Sequence, residues 1–364
     1  MTKVTESTPT PITVDDLIQA GRSAHTARAL AGAVTHFETV FDGSLPTTSD
    51  EIERYLVRFQ TLLAPDTLRQ RLALLASWHK QHGFPDPTKT SRIRDTLVGL
   101  RVTYAKPKKR AKPLSLVSLE GVIDSIEERL QQAALVVNNP RQQRALALTA
   151  IRDRCLVLIG FWCGFRGEQL VGLRVENILL QGGEGDEVRY MTLFVPKSKG
   201  DREAQGESWN LREMPQEFRH VCPLNAYLDW IFAAQLSVGP LFSKIDRWGA
   251  VWRRPLHINS LIDMLRAILR SAELPAEHYS VHSLRRGFAN WAIDNNSSIH
   301  DLMSWVKWKD QRSVQPYLEV RADLPNRLLS ANVMPSRTPA NSEASTTGIA
   351  LSPATRISDS GTTS

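Results

Sequence analysis

The stretch CLVLIGFWCGFRGEQLVGL, residues 155–173, decides the fold of the larger half of this 364-residue chain. It begins as an apolar run to Phe165, which is too short to cross a bilayer and predicts the end of a helix buried in a globular core. Gly164 breaks this helix, and Arg166 opens the next one. An arginine at such a break can point from a helix terminus into a cleft, although a solvent-exposed arginine would give the same pattern.

The composition suits a globular protein of more than one domain. Hydrophobic residues make up 42% of the chain, and 364 residues exceed the size of one ordinary domain. The net charge of +7 and the pI of about 9.4 are compatible with a nucleic-acid partner, as they are with a protein that is merely basic.

The cysteines and the N-terminus indicate a cellular compartment. Cys155, Cys163 and Cys222 include no C-x-x-C pair, so neither a zinc ribbon nor a disulfide framework is expected. Cys155 and Cys163 fall in the apolar run and are predicted to lie in the core. The polar N-terminus lacks the charged start and apolar stretch of a signal peptide. We therefore expect a soluble, cytoplasmic protein with reduced thiols and no membrane partner; an association with the nucleoid would follow only from a DNA-binding function.

Residues 14–103 are predicted to form a helical domain whose basic residues could contact DNA. The clearest helix starts at Pro65 and ends at Gly83, a favoured pair of start and stop residues. The residues expected to face its core are Leu68, Leu72, Leu75 and His79. The candidate DNA contacts are Arg69, Arg71, Lys89 and Arg92. A solvated helix surface would show similar charges.

Residues 104–113 are predicted to form a basic linker. Five of the seven residues from 106 to 112 are basic, and prolines at 107 and 113 exclude a helix interior. Lys106, Lys108, Lys109 and Arg110 are therefore candidates for a strap that lies across DNA phosphates. A nuclear import signal or a plain hinge would have a similar composition.

Residues 114–332 are predicted to form a second domain, mainly α with a small β-sheet. Helices are expected over 118–132 and 141–161, and a pair of strands over 190–195 and 208–212. After Pro223 the chain is expected to be helical to about residue 330, with breaks at Gly239-Pro240 and Pro255. The Ser-, Thr-, Ala- and Pro-rich residues 333–364 are expected to be a disordered tail.

Three further features of this domain carry polar chemistry. His282 and Arg285 stand three apart at a predicted helix start, so both can donate to one phosphate. Trp308 precedes Tyr317 by nine residues. Lys199 lies in the loop between the predicted strands, with Lys197 as the alternative. Taken singly, each has a plainer explanation, namely a chance match, a core aromatic residue or a solvated lysine.

Taken in order, these residues resemble the tyrosine recombinase (phage integrase) family, most closely its Cre-like and integrase-like members. The matching series is Arg166 after a glycine break, Lys199 in a hairpin loop, His282 with Arg285, Trp308, and Tyr317. The resemblance covers residues 14 to about 330. It implies an N-terminal helical core-binding domain and a C-terminal mixed α/β catalytic domain.

The resemblance also implies a reaction. Arg166, Arg285 and the Trp308 indole would hold a phosphodiester while Tyr317 attacks it to form a 3′-phosphotyrosine, with His282 as proton acceptor or orienter. Lys199 would protonate the leaving 5′-oxygen. No metal, other cofactor or small-molecule substrate is implied. The partners would be double-stranded DNA and further copies of the chain, as a dimer on one site and a tetramer in synapsis.

One position departs from the family pattern. The family usually carries an acidic residue three positions after the first arginine, where this chain has Gln169, and the adjacent Glu168 is expected to point elsewhere. An amide can hydrogen-bond a neighbouring His or Arg but lacks the negative charge. Gln169 is the one hint of a catalytically silent DNA-binding protein. A telomere resolvase or type IB topoisomerase, which shares the chemistry, is the nearer alternative.

Overall fold

The computed structural model describes residues 24–106, 110–183, 188–196 and 205–318. The chain divides into two compact units, residues 1–110 and 111–364. Some predictions concern positions outside the described residues, and these are Lys108, Lys109, Lys197, Lys199, residues 14–23 and 319–332, and the tail 333–364.

The described part of the first unit is helical. Its helices are α1 (Ala24–Thr35, followed by a π-helical turn, His36–Val40), α2 (Ser49–Phe59), α3 (Pro65–Gln81) and α4 (Ser91–Tyr104). Helix α3 confirms the helix predicted from Pro65, since no residue of its predicted stripe is more than 2% exposed. Buried His79 is satisfied at both ring nitrogens, because Nε2 accepts from the Thr47 backbone N–H at 2.9 Å and Nδ1 donates to the Leu75 carbonyl at 2.8 Å.

The second unit is mainly helical with two small sheets, which confirms the predicted fold class. Its helices are α5 (Leu116–Ala134), α6 (Pro140–Trp162), α7 (Gly167–Val171), α8 (Pro223–Ala234), α9 (Ile258–Ser271), α10 (His282–Asp294), α11 (Ile299–Trp305) and α12 (Gln315–Leu318). Its strands are β1 (Ile178–Gln181), β2 (Tyr190–Val195), β3 (Glu207–Arg212), β4 (Ser243–Ile245) and β5 (Val251–Pro255). Short 3₁₀ turns are Val175–Asn177, Gln216–Val221, Ala276–His278 and Gln311–Ser313.

The three-stranded sheet is antiparallel in the order β1-β2-β3. Strands β2 and β3 confirm the predicted strand pair, and Val195 lies opposite Glu207 at the end that leads into the connecting loop. Residues 191, 193 and 195 of β2 are buried, as expected for a sheet with one face on the core. Strand β1 was not predicted, since its four residues follow a 3₁₀ turn and show no alternation in burial.

The helical structure predicted between the breaks at Gly239-Pro240 and Pro255 is wrong, because β4 and β5 form a hairpin at residues 243–255. A polar turn makes the hairpin, because the Asp246 carboxylate accepts from the backbone N–H groups of Trp248 and Ala250 at 2.8 and 2.9 Å. Gly249 follows at φ +80°. The strands have three and five residues, too few for their alternation to stand out in the sequence.

Helix α6 is the centre of the second unit. It starts at Pro140 after the Asn139 cap, and residues 155–162 are all buried. Gly160 permits close packing with α10, because a Cβ at this position would lie 2.7 Å from Cδ1 of Leu284. Cys155 and Cys163 are free and fully buried, which confirms their predicted core positions, and burial raises the pKa of both thiols. Among the described residues, every helix falls short of what a membrane crossing requires.

Three indole groups tie the sheet to the helices. Trp209 of β3 donates to the carbonyl of Trp305 at 2.8 Å, and Trp305 of α11 donates to the carbonyl of Trp162 at 2.9 Å. Trp162 at the end of α6 donates in turn to the carbonyl of Val221 at 2.9 Å. Because each N–H has a partner, the buried Trp162 and Trp209 and the partly buried Trp305 leave no indole donor unsatisfied.

Gly164 ends α6 and leads to Arg166. Its φ is +58°, a conformation that an L-residue with a side chain rarely adopts, and a Cβ here would lie 2.8 Å from Cγ1 of Val306. The chain therefore needs glycine at this position in order to turn towards α7.

We predict that Gly164→Ala destabilises the second unit by about 2 kcal/mol, from the left-handed conformation and the contact with Val306. The control is Gly121→Ala in α5, where a Cβ meets nothing within 4 Å and the helix should gain about 0.5–1 kcal/mol. The measurement is urea unfolding followed by tryptophan fluorescence, which reports this unit because only Trp78 of the nine tryptophans lies in the first. Equal effects of the two alanines would contradict the prediction.

Candidate active site

Arg285 is the buried centre of the site. Arg285 lies one turn into α10 and is only 4% exposed. Its two Nη groups donate to the carbonyls of Gly164 and Val306. A guanidinium has five N–H donors, so the two bonds made within the described residues leave three for another acceptor. The side chain is thus held in one place without being fully occupied.

The charge of Arg285 is set by its surroundings. Burial, followed by the positive charge of Arg166, lowers the pKa of Arg285 to about 9. The ionisable groups of Tyr317 and Glu207 act in the opposite direction and raise the pKa of Arg285. The guanidinium is therefore protonated at neutral pH and forms a buried positive charge.

Arg166 stands at the N-terminus of α7, one residue before Gly167. The residue is partly exposed, but its Nη1 is buried and has no hydrogen-bond partner within the described residues. A buried donor without an acceptor typically costs about 1–3 kcal/mol, so such a group indicates a place where an acceptor binds.

Trp308 and Tyr317 lie beside the arginines. The Arg285 guanidinium carbon is 5.1 Å from the centre of the Trp308 ring, and the Trp308 and Tyr317 rings are 5.3 Å apart at 33°. Arg286 places its guanidinium 5.8 Å from the centre of the Tyr317 ring and also donates to the Ala111 carbonyl. The partly exposed tyrosine therefore lies between an indole and a second cation.

The structure brings together four of the six predicted catalytic residues, namely Arg166, Arg285, Trp308 and Tyr317. His282 is the first residue of α10 and is exposed, so it differs in burial from Arg285, with which it was expected to share a face. Lys199 and its alternative Lys197 lie outside the described residues.

Gln169 is 4% exposed and links Arg166 to β3. Its Oε1 accepts from the backbone N–H of Arg166 at 2.9 Å, and its Nε2 donates to Oε2 of Glu207 at 3.1 Å. The expected hydrogen bond to a neighbouring arginine is thus made to the backbone of Arg166. Glu168 is exposed whereas Gln169 is buried, in agreement with the prediction that Glu168 points elsewhere.

Glu207 and Arg286 were not predicted from the sequence. Glu207 reaches Gln169 across 38 positions of sequence, and no spacing rule connects a strand terminus with a helix so far away. Arg286 follows Arg285 directly, and adjacent helical residues point in different directions, so the motif drew attention only to the first.

The candidate DNA contacts of the first unit differ in their availability. Arg69, Lys89, Arg92, Lys106 and Arg110 are exposed. Arg92 forms an ion pair with Glu53 at 2.7 Å. Arg71 is partly buried and donates to the Tyr55 hydroxyl at 3.3 Å, so part of its hydrogen-bonding capacity is used inside its own unit.

The β4–β5 hairpin carries a basic and aromatic surface that the sequence analysis also missed. Its members, which we call the hairpin surface, are all exposed: Arg141, Lys244, Arg247, Trp248, Trp252, Arg253 and Arg254. Trp248 lies between two guanidinium groups, Arg247 at 4.5 Å and Arg141 at 5.7 Å from its ring centre. Lys244 lies 5.2 Å from the ring centre of Trp252. Exposed cations and indoles together suit contact with a nucleic-acid backbone.

Chemically, the site offers N–H donors and positive charge beside a phenol. Such a set can hold an anionic oxygen while the phenol acts as nucleophile. Within the described residues, no three His, Cys, Asp or Glu side chains cluster as metal ligands.

Comparison with known proteins identifies the family of the chain. The model of the phage integrase family matches residues 127–323. An integrase/recombinase XerD homolog from Selenomonas ruminantium is 24% identical over 280 residues, which cover 76% of this chain and 74% of the relative.

Two solved structures share the fold. The XerH site-specific recombinase bound to palindromic difH substrate, a post-cleavage complex, has a TM-score of 0.54 at 17% identity, with coverage of 88% of this chain and 84% of XerH. A lambda integrase dimer bound to a COC′ core site has a TM-score of 0.50 at 14% identity, with coverage of 83% and 74%. The chain therefore belongs to the phage integrase family, the tyrosine recombinases that break and rejoin DNA strands.

Proposed function

We propose that this protein is a site-specific recombinase that cleaves and rejoins duplex DNA by metal-independent transesterification through a 3′-phosphotyrosine at Tyr317. One observation carries the proposal. The Arg166 Nη1 is a buried donor with no partner among the described residues. The charge of Arg166 acts on Arg285, and Arg285 also interacts electrostatically with Tyr317. An anionic oxygen at this place would satisfy the free donors and lie beside the phenol.

The arginines would bind the scissile phosphate. Attack by tyrosine increases the negative charge on the non-bridging oxygens, so donors fixed in advance lower the barrier. Arg166 and the three remaining N–H groups of Arg285 would hold these oxygens, with the Trp308 indole N–H as a further donor. Loss of one such donor typically slows a reaction on the order of 10²–10³-fold.

Tyr317 would be the nucleophile. A free tyrosine has a pKa of about 10, so the phenol must lose its proton during attack. His282 would accept or orient that proton, and the neighbouring positive charges of Arg285 and Arg286 would favour the phenolate. The phenolic oxygen forms a bond to phosphorus as the bond from phosphorus to the 5′-oxygen breaks. Lys199, or alternatively Lys197, would give that oxygen its proton, and the reverse reaction rejoins the strand without ATP.

Binding to duplex DNA would involve both basic segments. The strap (Lys106, Lys108, Lys109 and Arg110) and the hairpin surface would contribute mainly contacts to phosphates. The hairpin lies at the start of α6, since Arg144 Nε donates to the Gly249 carbonyl at 3.3 Å, whereas Arg166 follows the end of α6. At 1.5 Å per residue, the part of α6 from Arg144 to its end at Trp162 is about 28 Å long. This corresponds to about eight base pairs along a duplex.

The proposed assembly is a dimer on one DNA site and a tetramer in synapsis. The dimeric lambda integrase on its core site supports the first state by analogy. The residues after Tyr317 would dock on a neighbouring subunit, as the family resemblance implies.

We predict that Tyr317→Phe binds DNA as tightly as the wild type but never forms a covalent protein–DNA adduct, because it removes only the nucleophilic oxygen. The substrate, here called the trapping duplex, is selected from random sequence by its binding to the wild type. It is then nicked at successive positions, so that a short 5′-hydroxyl fragment is lost after cleavage. Denaturing gels detect the adduct. An adduct formed by Tyr317→Phe would assign the nucleophile elsewhere, and a wild type that forms none would indicate a silent DNA-binding protein.

We predict that Arg253→Gln/Arg254→Gln flattens the plot of log affinity against log salt by about two units, because each phosphate contact contributes about 0.9. The measurement is binding of the selected duplex, before nicking, at several salt concentrations. The matched control is Arg174→Gln, whose charge is already paired with Glu176 at 2.5 Å and should leave the slope unchanged. A double variant with the wild-type slope would show that the hairpin surface does not contact DNA.

A further inference from the structure

We infer that Glu207 is a positioning residue that acts through Gln169 to hold Arg166 and to support the charge of Arg285. The inference rests on the proposed function, because it assigns Glu207 to the reaction of that site. It also gives the uncharged Gln169 a role, since Glu207 supplies the negative charge that position 169 lacks.

The hydrogen bonds of Gln169 show how Glu207 can act on Arg166. A side-chain amide has an acceptor oxygen at one side and a donor nitrogen at the other. Here Oε1 faces the backbone N–H of Arg166 and Nε2 faces the carboxylate of Glu207. The opposite orientation would place oxygen against oxygen at Glu207 and nitrogen against N–H at Arg166. Glu207 therefore selects the amide orientation in which Gln169 accepts the hydrogen bond from Arg166.

The negative charge of Glu207 also acts on Arg285. Arg166 and Arg285 are both positively charged, so Arg166 disfavours the protonated form of Arg285 and lowers its pKa. Glu207 acts in the opposite direction on Arg285. Its carboxylate is thus close enough to offset part of the repulsion, while the described contacts connect it to Gln169 rather than to either guanidinium. The N–H groups that bind phosphate remain unoccupied by Glu207.

The position of Glu207 in the fold makes the idea testable. Glu207 is the first residue of β3, opposite Val195, and it is partly exposed. The strand pairs through its backbone, so a change from carboxylate to amide should leave the sheet intact. Because the new amide oxygen can still accept a hydrogen bond from Gln169, Glu207→Gln removes mainly the charge, whereas Glu207→Ala also removes the hydrogen-bond partner of Gln169.

The experiment measures the single-turnover rate of adduct formation on the trapping duplex at saturating protein, together with the dissociation constant for DNA. Glu207→Gln should react about tenfold more slowly, because it loses the negative charge, and Glu207→Ala about a hundredfold more slowly, because it also leaves the Gln169 amide without its acceptor. The DNA dissociation constants should stay within a factor of about three. The control Glu168→Gln removes an exposed carboxylate from the adjacent position and should react at the wild-type rate.

The exchanged variant Gln169→Glu/Glu207→Gln gives the sharpest result. It moves the carboxylate to α7 and the amide to β3, so that the carboxylate at position 169 can accept both from the Arg166 N–H and from the new amide at position 207. The rate should return to within about threefold of the wild type. Gln169→Glu alone places two carboxylates together and should be slower than the exchanged variant.

The outcomes separate the two claims. A wild type that forms no adduct overturns the proposed function itself. A reactive wild type with an equally reactive Glu207→Gln overturns the inference. If Glu207→Gln loses thermal stability, the rate of the exchanged variant is compared with that of Gln169→Glu alone. An exchanged variant that reacts no faster than Gln169→Glu overturns the inference as well.

Discussion

The site depends on the two hydrogen bonds from Arg285 to the carbonyls of Gly164 and Val306. They join α10 to the end of α6 and to the segment before Trp308. A buried cation held by carbonyl dipoles keeps its full charge and its remaining donors, whereas a direct carboxylate partner would neutralise it and compete with a bound phosphate. Gly164 makes this possible, because its left-handed turn presents the carbonyl and places Arg166 at the start of the next helix.

Local sequence signals predicted much of this arrangement. The apolar run to Phe165 and the glycine break placed a buried helix and an arginine at its end, because burial and backbone freedom are properties of single positions. The ladder of β2 and β3 followed from alternation over six residues. The family resemblance, not spacing, assigned the order from Arg166 to Tyr317. Strands β1, β4 and β5 were missed because they are too short for periodicity to separate them from loops.

The contacts that could not be predicted are those between distant segments. The hydrogen bond from Gln169 to Glu207 depends on how α7 packs against the strand end, and neither residue type indicates the other. This contact gives a new meaning to the one departure from the family pattern. A carboxylate set behind an amide still acts on Arg285 through its field, yet it leaves both guanidinium groups free to bind an anion. The same interior that lowers the pKa of Arg285 strengthens its attraction for a phosphate.

If Arg166 and Arg285 neutralise the charge of the scissile phosphate, a substrate that lacks this charge should no longer need them. Adduct formation by wild type and Arg166→Ala would be compared on the trapping duplex and on the same duplex with a methylphosphonate at the cleavage position. Arg166→Ala suits the test because Arg285 also satisfies two buried carbonyls. We expect Arg166→Ala to be slower on the phosphate on the order of 10²–10³-fold, and this deficit should largely disappear on the methylphosphonate. An equal deficit on both substrates would contradict this expectation.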